Sequence, residues 1–144
     1  MRYRIDLLIP ASTTETAPTK QDIIVWKGVI SHVQMLFPKG CAGLAHARIR
    51  QANHNIAPVN PNGWFTGDGS GPDYQEYFPL ESGTNEITIE GYNEDEIYAH
   101  TPIVEFDVLP EEVLRMPKIQ YDLVYAFIRA VEAMNLVLAK FGVT

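Results

Sequence analysis

One cysteine, Cys41, stands among 144 residues, so no intrachain disulfide can form and a packed core must hold the fold. A lone cysteine suits a reducing compartment. Positive charge is also scarce: 11 Lys and Arg against 18 Asp and Glu leave a net charge of −7. No basic patch is visible for a nucleic-acid backbone or an anionic membrane surface, and neither partner is expected. The apolar run from Ile5 to Ile9 is short and broken by Asp6. It does not make the apolar stretch of a secretion signal, and none is expected.

Motifs that announce chemistry are missing as well. There is no Gly-x-Ser-x-Gly elbow, no Walker loop and no dinucleotide fingerprint. The histidines His32, His46, His54 and His100 share no metal-ligand spacing with each other or with Cys41. His32 and His46 fall in successive strands and read as a surface pair across a hairpin. Cys41 sits in a turn beside Lys39 with no base at a telling spacing. Asp68 to Asp73 (Asp-Gly-Ser-Gly-Pro-Asp) lacks the alternating acids and terminal Glu of a calcium loop, and Asn93 to Glu96 reads as a solvated tip. The chain is expected to be no enzyme, with no cofactor and no metal. A cupin-like enzyme, the remaining catalytic option, would want a His/His/carboxylate set that these scattered histidines do not supply.

Hydrophobic residues make up 46% of the chain, enough for one domain with a real core. Their spacing is mostly two. Tyr3, Ile5, Leu7 and Ile9 alternate with polar residues and predict a first strand. Ala11 to Lys20 is small and polar, an extended loop or arm. Ile23 to Trp26 predicts a short strand closed by Lys27-Gly28, and Val29 to Phe37 a second one. In Gly43 to Arg50, Ala45, Ala47 and Ile49 point inward, and Arg48 and Arg50 fall on the solvated side. Gln51 to Asp73 is rich in Gly, Asn and Pro and predicts turns. Trp64 and Phe65 interrupt it, either to plug the end of a core or to serve as a platform. Tyr74 to Leu80 predicts a strand ending at Pro79, Glu81 to Asn85 a turn, and Glu86 to Tyr92 a strand with Ile87 and Ile89 inward. Ile97 to Leu109 predicts the last and longest strand, with Val104, Phe106 and Val108 inward. About eight strands separated by Gly/Pro/Asn turns indicate a mainly β fold, an antiparallel jelly-roll or Greek-key β-sandwich over residues 1–109.

The period then changes to helical. Pro110-Glu111-Glu112 opens a turn, and Pro117 is expected to separate this elbow from a long C-terminal helix, Lys118 to Gly142. Twenty-odd residues at ~1.5 Å rise make roughly 35 Å of helix. Ile119, Leu123, Phe127, Val131, Met134, Leu138 and Phe141 share one broad face, and Tyr121, Tyr125, Ile128 and Leu136 widen it. Charges recur along the segment and would cost roughly 2.5–3.5 kcal/mol each at mid-bilayer, so no membrane span is expected. Residues 110–144 therefore form an elbow and an amphipathic helix that packs on its own sandwich or on neighbouring copies. The sandwich has enough alternating strands to fill its own core, which favours neighbouring copies and a homo-oligomer. These eleven apolar residues are the candidate interface.

Three stretches, Phe37-Pro38-Lys39-Gly40-Cys41-Ala42-Gly43-Leu44, Asn60 to Asp68 and Ile87 to Asn93, give residues 29–109 a resemblance to the small single jelly-roll proteins of bacterial and archaeal viruses. The resemblance is architectural. It implies a virion structural role (capsid, decoration or tail component) assembled in the host cytoplasm, with other structural proteins of the same assembly as partners. The alternative is a carbohydrate- or ligand-binding β-sandwich in which Trp64, Phe65, Tyr74 and Tyr77 form an aromatic platform beside polar loops.

Overall fold

The computed structural model describes residues 1–140, except for the side chains of 115–121, 136 and 138–140. Two compact units follow one another, residues 1–109 and 110–144.

The first unit is all antiparallel β: β1 Arg2–Asp6, β2 Thr19–Leu36, β3 Ala45–Gln51, β4 His54–Ala57, β5 Phe65–Thr66, β6 Asp73–Asn93 and β7 Ile103–Leu109. Hydrogen bonds join them in the order β1-β7-β2-β6-β3-β4, with β5 on β3. The two long strands, β2 and β6, pair along nearly their whole length. Each serves two neighbourhoods. The second half of β2, Val29 to Leu36, carries β7 on its free side, and the last residues of β6, Thr88 to Asn93, carry β3 on the opposite side. Bulges in β2 at Trp26/Gly28 and Ile30/His32 bend the ribbon between these regions. With the halves counted separately, β1, β7, the second half of β2 and the first half of β6 make one sheet. The first half of β2, the second half of β6, β3 and β4 make the other. This is jelly-roll order.

The two sheets meet in one core. Ile5, Val104 and Phe106 of the first sheet and Ala47, Ile49, Ile87 and Ile89 of the second belong to a single buried cluster. The inward residues expected on β3, β6 and β7 are all among them or beside them. Gly91 marks how closely the layers approach: a Cβ there would lie 2.9 Å from Leu7 Cδ2 and from the His46 carbonyl oxygen, and would also collide with Ile9. Cys41 is buried in the same cluster, and burial pushes its thiol pKa up, which leaves it an unreactive core residue.

Several sequence expectations change here. Ile23 to Trp26 and Val29 to Phe37 are one strand, because Lys27-Gly28 forms a bulge where a turn was expected. That irregularity, with the one at Ile30/His32, buries consecutive residues, Val29 and Ile30. Glu81 to Asn85 is likewise not a turn but the interior of β6, paired onto Trp26 and Val25 at its end. Pro79 does not end the strand. It faces Val29 on one side, and in that half β6 is an edge, where a missing N–H costs no ladder bond. The last strand is seven residues long, shorter than β2 and β6, because Ile97 to Pro102 belongs to a loop. Asp95 organises that loop: its carboxylate accepts hydrogen bonds from the backbone N–H groups of Ile97 and Tyr98, and its other oxygen lies 3.0 Å from His100 Nε2. The polar arm is tied down as well, since Thr13 bridges to Asn93.

The second unit is one helix, α1, Glu111–Lys140. It runs through Pro117, so the expected elbow is absent. Proline removes one backbone donor, and the turns on either side carry the helix across it. Leu123, Phe127, Met134 and Val137 lie on one stripe, with Val131 among them; Val124 and Ile128 extend it on one side, and Tyr125 falls on the opposite face under Arg129. All but Val131 are exposed; Phe127 reaches 70%. Of the other interface candidates, the side chains of Ile119, Tyr121, Leu136 and Leu138, and Phe141 entirely, lie outside the described residues. No described helix is long and apolar enough to cross a membrane.

Candidate functional site

The outer face of the second sheet holds the densest polar and aromatic constellation of the first unit. Alternation places Lys20, Asp22, Ile24 and Trp26 of β2, Thr84, Glu86, Thr88, Glu90 and Tyr92 of β6, and His46, Arg48 and Arg50 of β3 on this face. Cross-strand register then decides the contacts. Glu90 lies between Lys20 and Arg48 and is only 2% exposed. Arg48 Nε and Nη2 reach its Oε2 at 2.7 and 2.6 Å, Arg50 Nη1 its Oε1 at 3.3 Å and Lys20 Nζ the same oxygen at 3.1 Å. Burial alone would raise the Glu90 pKa. The hydrogen bonds from Arg48 and Lys20 and the charges of Arg48 and Arg50 outweigh it, and the carboxyl is held below its ordinary value. Arg48 and Arg50, expected to be solvated, retain only 13% and 22% side-chain exposure because this buried carboxylate draws them down.

From Arg48 the network continues into the loops. Its guanidinium carbon sits 3.8 Å above the Trp64 ring. Trp64 Nε1–H donates to Glu15 at 3.0 Å, and its ring meets Tyr92 edge-on at 4.8 Å. Tyr92 stacks on His46 at 4.1 Å, and His46 Nε2 lies 2.9 Å from Glu94. Burial, then Glu15 and Glu94, raise the Tyr92 pKa. Beside Tyr92 opens a cleft of ≈ 350 Å³ lined by Ser12 to Glu15, Asn93, Glu94 and Glu96. At the far end of the same face lies a cleft of ≈ 340 Å³ lined by Gln51, Ala52, Ser82, Thr84, Asn85, Glu86 and Thr88.

The four aromatic residues read as one platform occupy different places. Trp64 is engaged by Arg48, Glu15 and Tyr92. Phe65 and Tyr74 lie 6.1 Å apart and pack against the core, and burial, with help from Glu76, pushes Tyr74 up to about 12. Tyr77 is exposed on β6, with no aromatic neighbour among the described residues. His32 and His46 are not neighbours, since β2 pairs with β6 and β7 and not with β3. His32 instead meets Asp73 at 2.6 Å. No group of His, Cys, Asp and Glu that could hold a metal occurs among the described residues. Asp68 accepts a hydrogen bond from the Gly40 backbone, and Asn93 turns inward to donate to the Tyr98 carbonyl.

Trp26 and Glu90 are the residues that sequence reasoning passed over. Trp26 follows a buried Val25, and that alternation alone could have marked it as outward. Glu90 was placed on the outer face, but the cations that bury it come from β2 and β3, 70 and about 40 positions away.

Three carboxylates carry a pH dependence. Asp95 is held below its ordinary pKa chiefly by the Tyr98 and Ile97 N–H groups, Asp107 chiefly by its hydrogen bond from Arg2, and Glu90 as above. Each binds protons less readily folded than unfolded. Their stabilisation is complete above the unfolded values, about pH 4, and is lost as pH falls through the folded ones. The melting temperature should hold down to about pH 5 and drop steeply below about pH 4, with a shallower drop in Asp95→Asn. A flat profile down to about pH 2.5 would show that these contacts carry no stability.

No protein-family model matches the sequence, and no curated protein does. Among solved structures, the chain is similar to the CBM36-1 domain of a multidomain xylanase from the hindgut metagenome of Trinervitermes trinervoides. The identity is 10% and the TM-score 0.42, over 74% of this chain and 86% of that domain. A likeness of that degree says nothing of what this chain binds.

Proposed function

We propose that this chain is a structural assembly protein that self-associates through α1, with the jelly roll as the displayed body. The observation that carries this reading is the helix itself, whose apolar stripe and flanks stand exposed over several turns. Covering such a side chain stabilises by roughly 1.5–3 kcal/mol. A second copy of the same helix fits by charge. Glu111, Glu112, Asp122 and Glu132 balance Arg115, Lys118, Arg129 and Lys140, so the helix is neutral while the whole chain carries −7. Copies can therefore meet at the helix without bringing a net like charge together there. A virion component (capsid, decoration or tail) is the setting that the sequence resemblance supports.

Native mass decides it. The full chain should be a homo-oligomer, and Leu123→Ser/Phe127→Ser/Met134→Ser should be a folded monomer. A monomeric full chain, or an oligomer indifferent to these changes, sinks the proposal.

A second reading, a carbohydrate-binding sandwich, is favoured by the two polar clefts on one sheet face, each within the usual range of small-molecule sites.

A further inference from the structure

We infer that Trp26 and the cleft beside it form a binding site for a neutral carbohydrate. The inference rests on the second reading above and assigns its site and ligand. Trp26 is 65% exposed at the last paired position of β2 before its bulge, and alternation places it on the outer face. Its cross-strand partner is Thr84, and that of the exposed Ile24 is Glu86. Directly opposed side chains on one face stand about 5 Å apart. Thr84 and Glu86 both line the ≈ 340 Å³ cleft, so Trp26 and Ile24 stand one strand over from its lining, on the same face.

The lining fits sugar hydroxyls, which donate and accept at once. Ser82 and Thr84 supply hydroxyls, Thr88 a hydroxyl oxygen whose proton goes to Asp22 at 2.6 Å, Gln51 and Asn85 amides, and Glu86 an acceptor for adjacent hydroxyl groups. The amide wall is ordered before any ligand arrives: Gln51 Nε2 donates to Asn85 Oδ1 at 3.0 Å, and Asn85 Nδ2 to the Ser82 carbonyl at 2.9 Å. Such pre-ordering lowers the entropy lost on binding. The C–H face of a pyranose, the apolar side of a polar molecule, matches an exposed indole. Among the described residues no Lys or Arg lines the cleft, and Glu86 repels anions, so the sugar is uncharged. Trp64 cannot take this role without giving up Arg48 and Glu15, which already occupy its ring and its N–H.

The test is calorimetric titration of the full chain with cello-, xylo-, manno-, malto- and chito-oligosaccharides, with dextran sulfate as the charged comparison. One neutral series should bind and change the tryptophan fluorescence. Trp26→Ala, at an exposed position, should melt like the parent and bind at least about tenfold more weakly, while Trp64→Ala binds as the parent does. If neither a neutral oligosaccharide nor dextran sulfate binds, the inference and the second reading fail together. If one binds equally to Trp26→Ala, or dextran sulfate alone binds, the inference fails and a carbohydrate site elsewhere on the sandwich stands.

Discussion

Replacing Glu90 by alanine is expected to cost about 3–5 kcal/mol of stability, the loss that follows when one partner of a buried ion pair is removed. Lys20, half-exposed, can turn to water. Arg48 and Arg50 cannot: their side chains lie low on the sheet, and Arg50 Nε is already buried without a hydrogen-bond partner. Two guanidinium groups would then face each other without the carboxylate between them. Glu90→Gln keeps the shape and one acceptor and should lose less. Urea unfolding at pH 7 reads both, as a lower midpoint at unchanged slope. Because the Glu90 pKa is depressed, the difference between parent and Glu90→Ala should shrink as pH falls below about 4. A loss under about 1 kcal/mol would mean that the two arginines are as well served by water as by Glu90.

Phe106→Ala should cost a similar ~3–5 kcal/mol, for a different reason. Phe106 is fully buried on β7 between Tyr3 of β1 and Val33 of β2. It stacks on Tyr3 at 5.3 Å and belongs to the cluster where the two sheets meet. Truncation removes its transfer free energy and leaves a cavity that two hydrogen-bonded neighbours keep from collapsing. A domain of this size is stable by ~5–15 kcal/mol, so either substitution removes a large share. Phe106→Leu, which refills most of the space, should recover much of the loss. Equal loss in Phe106→Leu and Phe106→Ala would show that the ring stacking on Tyr3, and not filled volume, holds this part of the core.

The contrast between these residues shows what could be read from the chain. Phe106 was legible as core because Val104, Phe106 and Val108 alternate with Glu105 and Asp107, and period two states which face is buried. The same rule placed Ala45, Ala47, Ile49, Ile87 and Ile89 inward, and the structure buries all of them. It also placed Glu90 outward, correctly, but said nothing of its burial, which depends on which strands lie beside β6. Trp64 and Trp26 exchanged significance for the same reason. A tryptophan in a glycine-rich loop read as either a core plug or a platform, yet Arg48, Glu15 and Tyr92 converge on it from three other segments. A tryptophan at the end of a short strand drew no reading of its own, yet it stands in solvent.

Local composition also misled where it was taken as punctuation. Lys27-Gly28 and Ser82-Gly83 read as chain reversals. In the structure both lie within long strands that cross from one sheet to the other, and the glycines serve the bend. Pro79 and Pro117 read as terminators. One lies on an edge and the other within a helix whose neighbouring turns persist.

By itself, then, the sequence determined the fold class, the inward face of most strands, the apolar character of the C-terminal helix, and the lack of any catalytic or metal-binding motif. These follow from periodicity and composition, which act over a few residues. Only the tertiary structure decided that β2 and β6 run unbroken through both sheets, that Glu90 is buried beneath three cations, and that Trp26 stands in solvent while Arg48, Glu15 and Tyr92 hold Trp64. Those depend on register between strands some 40 to 70 positions apart, and register is set by the collective fit of two sheet faces around one core.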